Sequence, residues 1–90
     1  MTDFAHKKPI TKVELDMTHV FEPEPGKDRH FGFAVDPDTG EQFYVPSGLL
    51  KRHDITFDNH VGTTIYGFAQ RLIPEDGRAR RLLSITEVER

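Results

Sequence analysis

The residues best suited to bind a ligand are His30-Phe31-Gly32-Phe33-Ala34-Val35. Side chains alternate along an extended chain, so Phe31, Phe33 and Val35 share one face while Gly32 and Ala34 share the other. Two readings follow. Burial statistics place the phenylalanines in a core. In the other reading the rings stand outward as a platform for unstacked bases, and the glycine and alanine leave room for core residues from other strands. Each base stacked on such a ring is worth ~1–3 kcal/mol. A second run, Gln42-Phe43-Tyr44-Val45, puts Phe43 and Val45 on one face and Tyr44 on the other, which allows a neighbouring aromatic row. Lys27 and Arg29 precede the first run as candidate phosphate contacts.

Further cations gather near the end of the chain and before its middle: Arg71, Arg78, Arg80 and Arg81, and Lys51-Arg52-His53. Arg78 and Arg80 would share a strand face, an arrangement suited to tracking phosphates if that face borders the phenylalanines. The plainer reading is a solvated surface balanced by Glu75 and Asp76. Other chemistries have weaker signatures. His6, His19, His30, His53 and His60 show no close ligand pair, so no metal site is expected. Glu14 and Asp16, Asp36 and Asp38, and Glu87 and Glu89 are explained by strand alternation or turn chemistry. Ser47 and Ser84 lie outside any nucleophile elbow, and the Gly62 to Gly67 spacing lacks the Lys-Ser or Lys-Thr of a phosphate loop. No enzyme, catalytic residue or cofactor is expected.

The elements that must position these groups are short. Val13, Leu15 and Met17 alternate with Lys12, Glu14 and Asp16 as a half-buried strand requires, and the run continues to Phe21. Glu22-Pro23-Glu24-Pro25-Gly26 then forces a loop. Asp36-Pro37-Asp38-Thr39-Gly40 joins the two aromatic runs as an antiparallel hairpin. Ser47 is positioned to cap one helical turn through Leu49, Leu50 and Lys51. Thr63 to Phe68 has strand composition, Pro74-Glu75-Asp76-Gly77 is a turn, and Ala79 to Val88 forms the last strand. Five strands without a long amphipathic helix predict an all-β fold that closes to hide its edges. A five-stranded antiparallel Greek-key barrel with a short helical turn after the third strand is one such solution.

Composition agrees with one small domain: 90 residues, 36% hydrophobic, 30% charged. A chain of this length buries only ~60–65% of its unfolded surface, which leaves no room for a deep enclosed site. Residues 1–9 read as a flexible tail and 10–90 as the barrel. The sequence has no cysteine, which excludes disulfides and thiolate zinc sites and suits a reducing cytoplasm. No stretch reaches the ~18 apolar residues of a membrane span and no secretory signal is evident, so a cytoplasmic, non-membrane protein is expected. Twelve Lys and Arg stand against fifteen Asp and Glu, so any nucleic-acid contact needs a local basic face.

Arg29-His30-Phe31-Gly32-Phe33-Ala34 and Glu41-Gln42-Phe43-Tyr44-Val45-Pro46-Ser47-Gly48-Leu49 together resemble the paired nucleic-acid-binding motifs of cold-shock domains. In that family a Lys-Gly-Phe-Gly-Phe-Ile run and an Asp-Val-Phe-Val-His-Phe-Ser-Ala-Ile run lie on neighbouring strands of an oligonucleotide-binding (OB) barrel. Their outward aromatics stack on single-stranded DNA or RNA. The resemblance implies stacking by Phe31, Phe33 and Phe43 and a basic contact from Arg29; Lys27, His30, Arg78 and Arg80 join the candidate nucleic-acid-binding residues by their charge and place in the sequence. It covers about Thr18 to Ile85. Departures imply a reduced platform: Val45 and Pro46 stand where the family has His and Phe. There is no Trp, and His19-Val20-Phe21-Glu22 keeps only an inner Phe of the family's Lys-Trp-Phe-Asn. The expected function is binding of single-stranded nucleic acid, RNA ahead of DNA, in RNA chaperoning or regulation, by a monomer with at most weak self-association. The alternative is a protein-interaction module that kept the barrel and lost nucleic-acid binding, its exposed phenylalanines serving as an apolar patch.

Overall fold

The computed structural model describes residues 10–21 and 31–90. The proposed tail and the proline-containing loop after Phe21 therefore lie outside the described residues, as do Lys27, Arg29 and His30. Five strands and one helix follow in the order β1 (Ile10–Phe21), β2 (Phe31–Val35), β3 (Gln42–Val45), α1 (Ser47–Arg52), β4 (Thr64–Gln70) and β5 (Arg80–Glu89). They form a closed barrel with strand order β1-β2-β3-β5-β4, in which β4 returns to β1. Every ladder is antiparallel except β3 with β5, a parallel seam of two residue pairs, Phe43 opposite Arg80 and Tyr44 opposite Arg81. The architecture is the expected five-stranded OB-type barrel with a helix after β3, and closure leaves no long unpaired edge. No helix among the described residues is long and apolar enough to cross a membrane.

Alternation builds the core. Leu15, Met17 and Val20 of β1, Ala34 of β2, Phe43 and Val45 of β3, Ile65 and Ala69 of β4, and Leu82 and Ile85 of β5 point inward. Leu50 of α1 and Ile55 just beyond it close one end. Space is matched across strands: Gly32 faces Val45 and Ala34 faces Phe43, so each large inward residue of β3 lies against a small one of β2. The bareness of Gly32 also serves β1, because a Cβ there would lie 2.5 Å from the carbonyl oxygen of His19. Gly67 has the same function in β4, where a Cβ would collide with the Ser84 carbonyl of β5.

The turns are held as the residue types predict. Asp36 accepts the amide of Asp38 through its side chain at 2.8 Å, and Gly40 closes the β2–β3 hairpin with φ near 78°. Helix α1 differs from expectation. Ser47 is its first residue rather than its cap: extended Pro46 is the N-cap, makes no side-chain bond, and offers its carbonyl to the amides of Leu49 and Leu50. A proline fits this place because its backbone has no proton to lose. At the other end Arg90 donates to the carbonyls of His53 (3.1 Å) and Asp54 (3.0 Å), placing positive charge where the helix dipole is negative.

Phe43 is fully buried and Phe31 is 38% exposed. Phe43→Ala is expected to destabilise the barrel by ~3–5 kcal/mol in chemical denaturation, whereas Phe31→Ala, which removes ring contacts on the outer face and leaves no core cavity, costs ~1–2 kcal/mol.

Candidate nucleic-acid interface

One outer face, running across β1, β2 and β3, carries the aromatic residues. Register sets Phe21 opposite Phe31, His19 opposite Phe33, and Phe33 opposite Tyr44. The rings touch as one group: Phe21 stacks on Phe31 at 4.8 Å between centroids, and Phe31 and Phe33 meet edge to face at 6.0 Å. Tyr44 lies 5.7 Å from Phe31 and 6.0 Å from Phe33, and His19 lies parallel to Phe21 at 6.0 Å. Phe21 is 42% exposed, so the group is open to solvent at this end.

A bulge makes this face. The β1–β2 register shifts between Met17 and His19, so Thr18 and His19 both point out and the parity of β1 reverses beyond them. Val20 turns inward and Phe21 outward. The Thr18 hydroxyl donates to the Phe33 carbonyl at 3.1 Å, which pins the bulge to β2. That hydroxyl has one proton, so the 3.1 Å contact with His19 must be donated by the His19 Nδ1–H.

The sequence-predicted residues separate accordingly. Phe31 and Phe33 stand on the outer face, the alternative that burial statistics disfavoured. Phe43 does not join them: it is wholly buried, and Tyr44, its neighbour of opposite parity, supplies the ring on β3. The signal that separates them is the pairing of Gly32 and Ala34 with Val45 and Phe43, small against large. Phe21, read as an inner residue, is outer, because strict alternation from Met17 misses the bulge. The outer aromatic group therefore includes Phe21 and Tyr44 beside Phe31 and Phe33, with His19 parallel to Phe21.

The cations also rearrange. Arg78 and Arg80 do not share a strand face, since β5 begins at Arg80 and Arg78 lies in the irregular link before it. Arg80 is spent on structure. Its Nε and one terminal nitrogen donate to the two Glu41 carboxylate oxygens at 2.7 and 2.6 Å, and its other terminal nitrogen donates to the carbonyls of Gln70 and Arg71. The guanidinium lies 4.9 Å from the Phe43 ring centre, and the hydrogen bond to Glu41 holds its pKa above the ordinary value. A group held this way cannot turn to a phosphate without breaking that pair. Arg78 is exposed and pairs with Asp76 at 3.2 Å. Arg81, one position along β5, instead lies over Tyr44 at 5.6 Å and brings positive charge to the rings.

The far side of the barrel is acidic. Tyr66 of β4 lies between Glu14 of β1 and Glu87 of β5 and donates to Glu89 at 3.3 Å. Burial, then the charges of Glu89 and Glu14, push its phenol above the ordinary tyrosine value. Among the described residues no three His, Cys, Asp or Glu side chains form a group able to hold a metal ion.

Comparison with protein-family models, curated proteins and solved structures finds no match.

Glu41→Gln is expected to lower stability by ~1–3 kcal/mol in denaturant titration, because a charge-assisted pair over the β3–β5 seam is lost. Glu89→Gln is expected to move the Tyr66 titration to lower pH in an absorbance-monitored alkaline titration. The folded phenol holds its proton more tightly than the unfolded one. The linked stabilisation is therefore complete below the ordinary tyrosine range and is lost as pH rises through the raised value.

Proposed function

We propose that this protein is a divergent cold-shock-like OB barrel that binds single-stranded nucleic acid, RNA ahead of DNA, on the aromatic face of β1, β2 and β3. The observation that carries the reading is the continuous group of Phe21, Phe31, Phe33 and Tyr44 on one outer face, with Arg81 over its end. Unstacked bases have two apolar faces and gain from flat rings whatever their sequence. Rings already packed edge to face on rigid strands offer that surface without reordering. The carboxylates of Glu14, Glu87 and Glu89 cluster around Tyr66 on β1, β4 and β5, away from the rings of β2 and β3, and this supports the same orientation. Lys27, Arg29 and His30 precede β2 in the sequence and are the further candidates for phosphate contact. The resemblance implies a part in RNA chaperoning or regulation, and the cysteine-free sequence suits a reducing cytoplasm.

A second reading, a protein-interaction surface, is favoured by the commitment of Arg80 to Glu41 and of Arg78 to Asp76, which thins positive charge beside the rings. Salt separates the two. Binding of a polyanion releases counterions and weakens as salt rises, whereas an apolar protein contact does not.

The deciding experiment is a residue-resolved NMR titration with short RNA and DNA single strands at low and then higher salt. Shifts at Phe21, Phe31, Phe33 and Tyr44 that weaken with salt are expected, and no shifts at millimolar oligonucleotide would sink the proposal. Phe31→Ala should weaken binding by ~5- to 150-fold, the equivalent of one stacked base, in protein that stays folded at the temperature of the titration.

A further inference from the structure

Beside the rings, where β4 ends and β5 begins, lies an open groove lined by Phe33, Tyr44, Gln70, Asp76, Arg78 and Arg81 among others. Its polar groups are oriented by the backbone. The Gln70 side-chain oxygen accepts the Arg81 amide proton at 3.1 Å. An amide proton can be met only by the oxygen, so the Gln70 Nε2 is turned away from that bond with both protons available to a ligand. Asp76 Oδ1 accepts the Arg78 amide at 3.1 Å and Oδ2 pairs with the Arg78 Nε at 3.2 Å. Each carboxylate oxygen keeps a second acceptor site. The groove thus combines an aromatic wall, an amide with both N–H protons turned from the Arg81 bond, and a carboxylate paired with Arg78.

Asp76 engages Arg78, one of the two arginines that line the groove, and leaves Arg81 as the cation for the sugar-phosphate backbone. The other polar groups suit a base. Guanine alone among the common bases presents two adjacent N–H donors, N1–H and the N2 amine, beside an acceptor, O6. A carboxylate takes the two donors side by side and an amide N–H₂ meets the acceptor. Adenine offers an acceptor at N1 where guanine has a donor, and would set a lone pair against Asp76. We infer that the groove between Tyr44, Gln70 and Asp76 is a guanine-selective base site at the end of the aromatic strip. Single-stranded bases expose these edges for such contacts. The inference rests on the single-strand reading above, which it deepens by naming the base. The Arg78 pair contributes by holding the Asp76 carboxylate in place, and this accounts for an acidic residue beside a surface assigned to nucleic acid.

The test uses the full chain and two kinds of probe. Guanosine and adenosine monophosphates are titrated by NMR, and uridine heptamers with one central G or one central A are compared by fluorescence anisotropy. Guanosine monophosphate is expected to shift Gln70, Asp76 and Tyr44 where adenosine monophosphate does not. The G heptamer is expected to bind about tenfold more tightly than the A heptamer, near the lower part of the range for a bidentate base contact, as suits a solvent-open groove. Asp76→Asn, an exposed change, should remove that difference with the thermal midpoint in place, while binding of the A heptamer becomes somewhat tighter because a negative charge is lost and Arg78 is released from its pair. Equal binding of both heptamers, with no selective shift by guanosine monophosphate, overturns the guanine site and leaves the platform standing. Selective shifts by guanosine monophosphate without binding of either heptamer would keep the groove and overturn the platform. Loss of all binding overturns both.

Discussion

A barrel of five strands must join its first and last edges, and here the join is narrow. The parallel seam of β3 and β5 has two residue pairs, far fewer than the ladders of β1 with β4 or β4 with β5. Parallel pairing is also slightly weaker per residue. Arg80 supplies what the short ladder lacks. It ties the residue after the β2–β3 turn, Glu41, to the end of β4 and the start of β5, and its guanidinium roofs the Phe43 ring that fills the core beneath. The side chain is only 16% exposed, so the pair is shielded from much of the screening that makes surface ion pairs weak. The positions of Tyr44, Arg81 and the groove all depend on this join, because they sit on its two strands.

From that join follows a strict separation between what the two faces do. Inward residues of β2 and β3 solve a volume problem, with Gly32 and Ala34 giving way to Val45 and Phe43. Outward residues of the same strands, Phe31, Phe33 and Tyr44, are released from that constraint and pack on one another instead. Mutual ring contacts contribute ~0.5–1.5 kcal/mol each beyond area burial. That is enough to hold orientation and small enough that exposed rings remain a liability unless a ligand covers them.

Much of this is legible in the residues, for reasons that differ by element. The alternation of Val13, Leu15 and Met17 is a direct imprint of a sheet with one wet face, and Asp36 to Gly40 carries the chemistry of a tight turn in its own residue types. Phe31 and Phe33 are ambiguous alone, and resolve only when their small neighbours are matched with the large residues of β3. Phe43 misleads because motif similarity aligns ring with ring without regard to which face of the strand is up. Arg80 and Arg81 are adjacent and chemically equal in sequence; only the register with Phe43 and Tyr44 gives one a structural task and leaves the other at the surface. The helix cap is missed because a serine before a helical turn is a strong signal, while an extended proline carbonyl leaves none.

The bulge at Thr18 has a wider consequence. Upstream of it, β1 addresses the core with its odd-numbered positions; downstream, with its even-numbered ones. The strand is therefore written in two reading frames joined at a single residue. Substitutions in the first frame can retune the packing against β4, and substitutions in the second can retune the ring surface against β2, with little crosstalk between them. Variation in stability and variation in ligand preference can accumulate along the same strand independently, provided that the junction keeps its extra residue.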